Sequence, residues 1–252
     1  MIDAGYAPPR DIASKIRRRM TQALRARPAR LSFDQAALSV CFDDFPASAA
    51  EHGARILERH GGRGTFYTAA GLAETDGPCG RNFSRADLAR LAAAGHEIAC
   101  HTYDHADCAQ RDVFDTLTDI ARNRDALRDM GVTSDLHALA YPYGETSIEL
   151  KAALPPRFAS ARGILPGLNV GAVDLAQLRA YPLYGGHLAA AHAALSRAAK
   201  RKAWMIAFTH DVSAAPSPYG VSVEALDRLV AQARALGMLI APVTFVLERA
   251  RR

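Results

Sequence analysis

Three short segments place ionisable residues directly behind strand-like runs. Asp43 and Asp44 follow the apolar run 37–42, His101 and His105 follow 97–100, and His210 with Asp211 follows 204–209. Two adjacent carboxylates behind an apolar run are costly to bury unless they are paired or bind metal, and one can take a cation while its neighbour stays free as a base. Residues four apart share a helix face, so His101 and His105 point the same way if 101–105 turns helically. Two imidazoles and one carboxylate form a three-ligand set for one divalent ion, zinc first, with cobalt, nickel, iron or manganese also suited. Such a set leaves room for a water and a substrate oxygen. The chemistry this points to is metal-assisted hydrolysis.

The rest of the chain supplies elements to position these groups. Strands are expected at 37–42, 64–68, 97–100, 137–140, 158–161, 203–209 and 238–242. Helical patterns fall at 48–60, 85–94, 112–130, 147–154, 188–201, 223–236 and 244–251, several stopped by glycine. This alternation predicts parallel strands in an α/β fold. The form expected is a distorted (β/α) barrel of about seven strands, a single domain over 31–252, with its chemistry at the strands' C-terminal ends.

Residues 1–30 differ from the remainder. They hold eight Lys/Arg against Asp3 and Asp11, so the whole-chain net charge of +5 is concentrated there and the rest is nearly neutral. That distribution argues against a nucleic-acid groove spread over the domain. Ile12, Ile16, Met20 and Leu24 recur every four residues among arginines, the pattern of a basic amphipathic helix over 11–27. It is expected to dock on the protein's own surface, on a second subunit as a homodimer, or on the inner leaflet of a membrane. Cys41, Cys79, Cys100 and Cys108 form no C-x-x-C pair and read as free thiols. No membrane-span pattern occurs, and the cytoplasm is the expected location, peripheral to the inner membrane if the helix binds lipid.

The motifs resemble those of the polysaccharide deacetylase family, carbohydrate esterases that include chitin, peptidoglycan and nodulation-factor oligosaccharide deacetylases. Cys41-Phe42-Asp43-Asp44-Phe45-Pro46 resembles T-F-D-D-G-P, and His101-Thr102-Tyr103-Asp104-His105 matches H-[ST]-x-x-H. Ala140-Tyr141-Pro142-Tyr143 resembles R-x-P-[FY], and Phe208-Thr209-His210 resembles L-x-H. The resemblance implies Asp44, His101 and His105 as metal ligands, Asp43 as general base, His210 as general acid and the Tyr143 backbone N–H as an oxyanion donor. Tyr141 and Pro142 of the third motif, and Tyr219 in the loop 216–220, are expected to touch substrate.

Two positions depart from the pattern: Phe45 stands for glycine, and Ala140 for the arginine that pairs with the catalytic aspartate. Arg162, at the end of the expected strand 158–161, is the residue chosen to replace it. The family's D-x-x-D-W motif is not evident, leaving Asp174 or Asp211 to orient His210. The function expected is N-deacetylation of N-acetylglucosamine-type units in a bacterial exopolysaccharide or its lipid-linked precursor. Hydrolysis of a small cyclic amide or ureide is one alternative, and a non-catalytic carbohydrate-binding protein is another.

Overall fold

The computed structural model describes residues 7–251, so Asp3 and the rest of 1–6 lie outside the described residues. Eight strands form the main sheet: β1 (Ala37–Asp43), β2 (Thr65–Thr68), β3 (Glu97–Cys100), β4 (Ala138–Ala140), β5 (Ser160–Arg162), β6 (Tyr181–Pro182), β7 (Trp204–Thr209) and β8 (Leu239–Ile240). Seven run in the order β6-β7-β1-β2-β3-β4-β5, all neighbours parallel, while β8 lies beside the first half of β1. The curl is spanned at its open side by one stretch of chain. Leu178 N–H donates to Ala161 O and Ala180 N–H to Leu165 O, and Tyr181 then pairs with Ala207 of β7.

Period-2 alternation on these strands sorts the core into two layers. Leu38, Val40, Phe42, Phe66, Ile98, Leu139 and Met205 face the helices. Ala37, Cys41, Tyr67, Ala99, Ala138, Ala140, Trp204, Ile206 and Phe208 fill the interior. The interior is small-sided at 99, 138 and 140, and that spare volume is taken by Tyr67 and by Arg162, which is only 1% exposed.

The helices are α1 (Ile12–Ala23), α2 (Ala54–Arg59), α3 (Arg85–Ala93), α4 (Val113–Asp129), α5 (Ile148–Ala153), α6 (Leu188–Arg201), α7 (Val223–Ala235) and α8 (Val243–Glu248). Side-chain caps at Asp11, Ser84, Asp112, Ser147 and Ser222 fix five of their starts. The stretch expected as one helix over 48–60 opens with a π-helical turn, Ala49–Gly53, before α2. The antiparallel pair Pro28–Leu31 with Gly171–Asp174, and the ribbons at 76–81 and 212–222, are too short to have shown a periodic pattern. All four cysteines are free thiols.

α1 packs against the body through its polar side. Lys151, fully buried, reaches from α5 to donate to Thr21 O at 2.7 Å and Leu24 O at 2.6 Å, and it pairs with Asp174 at 2.8 Å. Arg18 pairs with Glu145 at 2.5 Å. The Lys151→Met variant removes the cationic partner of the Asp174 carboxylate and the donor to two carbonyls. Breaking such a buried pair costs about 3–5 kcal/mol. The expected result is a lower Tm and trypsin cleavage within 15–27 before the rest of the chain is cut; a variant as resistant as wild type would show that α1 is held by something else.

Candidate functional site

Asp43 is the last residue of β1 and points into the interior, whereas Asp44 turns out of the strand with a left-handed φ of 55°. Thr102 (φ 62°), His105 (φ 53°) and Tyr143 (φ 58°) share this backbone region. Each such residue costs of order 1–3 kcal/mol unless its surroundings impose it, and four of them lie on the loops that gather here. The segment 101–105 is not helical as the spacing suggested. Its two left-handed residues bring the imidazoles together instead, with ring centroids 4.9 Å apart. Asp119 of α4 holds this loop by accepting from Tyr103 N–H at 2.6 Å and from Asp104 N–H at 3.3 Å. No sequence motif marked Asp119.

Asp44 Oδ1 lies 3.4 Å from His101 Nε2 and 3.2 Å from His105 Nε2, and the three ligand atoms lie within 4.8 Å of one another. His101 Nδ1 is 2.8 Å from Ala140 O; donating there leaves the Nε2 lone pair turned toward Asp44. Burial pushes both imidazoles down to about 4, so each is neutral at pH 7. Burial likewise pushes Asp44 above the usual carboxylate range, against the pull of His101 and His210. Asp44 Oδ1 is buried with no hydrogen-bond partner. A neutral imidazole pair and an uncompensated carboxylate oxygen fit a divalent cation, whose charge would offset the cost of burying Asp44.

Asp43 has the opposite environment. Burial works to raise its pKa, but the Arg162 guanidinium, aided by His101 and His210, holds it below the ordinary carboxylate range. Arg162 Nη2 donates to Asp43 Oδ1, and the guanidinium lies over the Tyr67 ring at 4.5 Å and the Phe208 ring at 5.0 Å. Arg162 sits within β5, and its register partner on β4 is Ala140. The arginine absent at 140 is thus supplied by the neighbouring strand at the same level. Phe45, standing for glycine, is buried and stacks on Phe83 at 4.5 Å with its edge to Phe66, pinning the chain just after the aspartates.

His210 follows β7, and its Nδ1 lies 3.2 Å from Tyr219 O. Neither carboxylate suggested to orient it does so. Asp174 is committed to Lys151 and to the backbone at Arg27 and Ala176. Asp211 accepts from Ser217 N–H at 2.9 Å and from Ser217 Oγ at 2.5 Å. Asp211 therefore acts indirectly, folding the turn whose Tyr219 carbonyl meets the imidazole. Gly220 packs on that carboxylate, and a Cβ there would overlap it. Gly220→Ala is expected to cost about 1–3 kcal/mol, read as a fall in Tm of roughly 2–4 °C per kcal/mol at this chain length. An unshifted melting curve would show that the turn yields freely.

Tyr143 places its ring 4.7 Å from that of His105. Gly144, at φ 71°, has no room for a Cβ against Ile164, which keeps this turn tight. Tyr141 and Pro142, expected to touch substrate, are both turned away from solvent. The Tyr141 hydroxyl donates to Ala176 O at 2.8 Å, making it a core residue that anchors the loop. Tyr219 and Tyr184 form an aromatic group beside His210, the Tyr184 ring lying 5.9 Å from Tyr219 and 6.0 Å from His210. Tyr184 carried no motif and was legible only as an aromatic beside two glycines.

Residues 31–154 match the polysaccharide deacetylase family model. Asp43, Asp44, His101, His105 and Tyr143 fall inside that match, while Arg162, His210 and Tyr219 lie beyond it. Among curated proteins none matches. The fold is similar to that of the peptidoglycan deacetylase PdaC from Bacillus subtilis, at 15% identity over 86% of this chain and 92% of that one, with a TM-score of 0.56. A family 4 carbohydrate esterase from Streptomyces lividans is similar at 16% identity over 82% and 92%, TM-score 0.55. So is a mutant of a CE4 family pseudoenzyme, at 14% identity over 90% and 72%, TM-score 0.57.

Proposed function

We propose that this chain, whose residues 31–154 match the polysaccharide deacetylase family model, is a metal-dependent hydrolase removing acetyl groups from N-acetylglucosamine-type units of an exopolysaccharide or its lipid-linked precursor. The observation that supports this most is the opposed setting of the two aspartates: Asp43 is held ionised by Arg162, and Asp44 faces two neutral imidazoles with no partner of its own.

Asp44, His101 and His105 would hold a divalent cation, which would supply Lewis acidity at the site. Asp43, kept as a carboxylate, takes the proton of the attacking water as its oxygen adds to the amide carbon. The oxyanion receives the Tyr143 N–H, a donor of a kind worth about 3 kcal/mol. His210, steered by the Tyr219 carbonyl, protonates the sugar nitrogen as the carbon–nitrogen bond breaks. Acetate and a free amine leave. Tyr184 and Tyr219 offer ring faces to the apolar side of a sugar.

The test is acetate release from N-acetylglucosamine oligomers by metal-reconstituted protein, with Asp43→Asn as comparator. Release by wild type, reduced about a hundredfold or more in the variant, is the expected result. Opening of a cyclic amide or ureide without acetate release would replace this reading, and tight sugar binding with no turnover of either substrate would leave a carbohydrate-binding protein.

A further inference from the structure

An amphipathic helix on a globular body ordinarily turns its apolar stripe inward. α1 does the reverse. Ile12, Ile16, Met20 and Leu24 are 77%, 53%, 54% and 49% exposed, while Thr21 is buried and Arg18 is tied to Glu145. At about 100° per residue, Ile12, Ala23, Ile16, Met20, Ala13 and Leu24 cover about 120° of the surface. Arg19 and Lys15 border this stripe on one side and Arg17 on the other, all three exposed. Asp11, the N-cap, is the only acidic residue between 7 and 27.

The stripe is also held in place. Lys151 fixes the C-terminal turn of α1, and Arg18 fixes its middle to Glu145, two residues beyond Tyr143. The middle of α1 is thereby tied to the loop that leaves the C-terminal end of β4 and carries Tyr143. Two more apolar side chains stand exposed on segments leaving the same end of the sheet: Phe114 at the start of α4 and Ile164 just after β5. No helix among the described residues is long and apolar enough to cross a membrane.

We infer that α1 is an interfacial anchor that lays its apolar stripe into an anionic lipid surface and brings the mouth of the site to the headgroups. The charge pattern selects this occupant: cations flanking a narrow apolar face match anionic headgroups above acyl chains. Facing a second copy of itself, the same stripe would set Lys15, Arg17 and Arg19 against their like. The substrate class that follows, a saccharide carried on a lipid, rests on the deacetylase reading, whereas the anchoring does not.

The experiment is flotation of the full chain with phosphatidylcholine vesicles, with and without phosphatidylglycerol. Wild type is expected to float with the anionic vesicles and to be released by salt. The Ile16→Glu/Met20→Glu variant should partition roughly tenfold or more weakly, and Arg17→Gln or Arg19→Gln about fivefold more weakly each. All are expected to keep wild-type Tm and wild-type hydrolysis of soluble oligomers, so anchoring and activity are scored separately. Wild type that stays unbound, or floats equally well after Ile16→Glu/Met20→Glu, overturns the anchor. A wild-type dimer that this variant converts to monomer would assign the stripe to a second copy instead.

Discussion

Arg162→Met is expected to leave Asp43 as an uncompensated buried carboxylate, lowering stability by about 3–5 kcal/mol and Tm by roughly 6–20 °C. The pair is nearly inaccessible on both sides, with side-chain exposures of 1% and 6%, so solvent cannot take over from the guanidinium. Acetate release by the fraction that stays folded should fall about a hundredfold or more, because without Arg162 burial drives Asp43 toward its protonated form, which accepts no proton. Arg162→Lys keeps the charge without the planar fork that lies between Tyr67 and Phe208, so it should rank between wild type and Arg162→Met. The register of Ala140 with Arg162 gives a sharper form of the prediction. Ala140→Arg alone overfills the interior, whereas Ala140→Arg/Arg162→Ala should regain part of both stability and rate. A double variant no better than Arg162→Ala would show that the strand supplying the arginine matters, and not merely its presence.

Asp44→Asn is expected to remove the cation's charge partner while keeping a residue that tolerates the left-handed φ of 55°. Two opposite outcomes follow from the orphaned Asp44 Oδ1. In metal-free protein the variant should be as stable as wild type or more so, since a half-buried carboxylate whose Oδ1 has no hydrogen-bond partner has been neutralised. With zinc at a hundred times the wild-type Kd, wild type should gain about 2.7 kcal/mol and the variant almost nothing. Acetate release should drop about a thousandfold or more. A variant that keeps the zinc-induced rise in Tm would mean that Asp44 is not a ligand.

Much of this site was legible from chemistry at strand ends. Asp43, Asp44, His101 and His105 stand directly behind apolar runs of the kind that become buried strands, and backbone topology brings the ends of parallel strands together. Arg162 could be found the same way, although it lies within its strand and not after it, which is why it faces the interior. What the residues did not disclose depends on tertiary detail. A tyrosine in a motif reads alike whether its ring faces substrate or core, and only packing against the 175–178 segment buries Tyr141. His210's partner is a carbonyl, and backbone carbonyls leave no trace in residue types. The stripe on α1 had the period of a docked helix, but which side meets the body was decided by Lys151 and Glu145, far away in sequence. The short ribbons left no periodic signal because two to four residues hold barely one full alternation.

Metal-dependent deacetylation is tested most directly by acetate released from N-acetylglucosamine oligomers by one preparation of protein, measured after chelation and again after each divalent metal is restored. No release is expected after chelation, recovery is expected with zinc or another first-row ion in wild type, and no recovery in Asp44→Asn. Release that persists after chelation, or that returns equally in Asp44→Asn, would contradict metal-dependent deacetylation at this site.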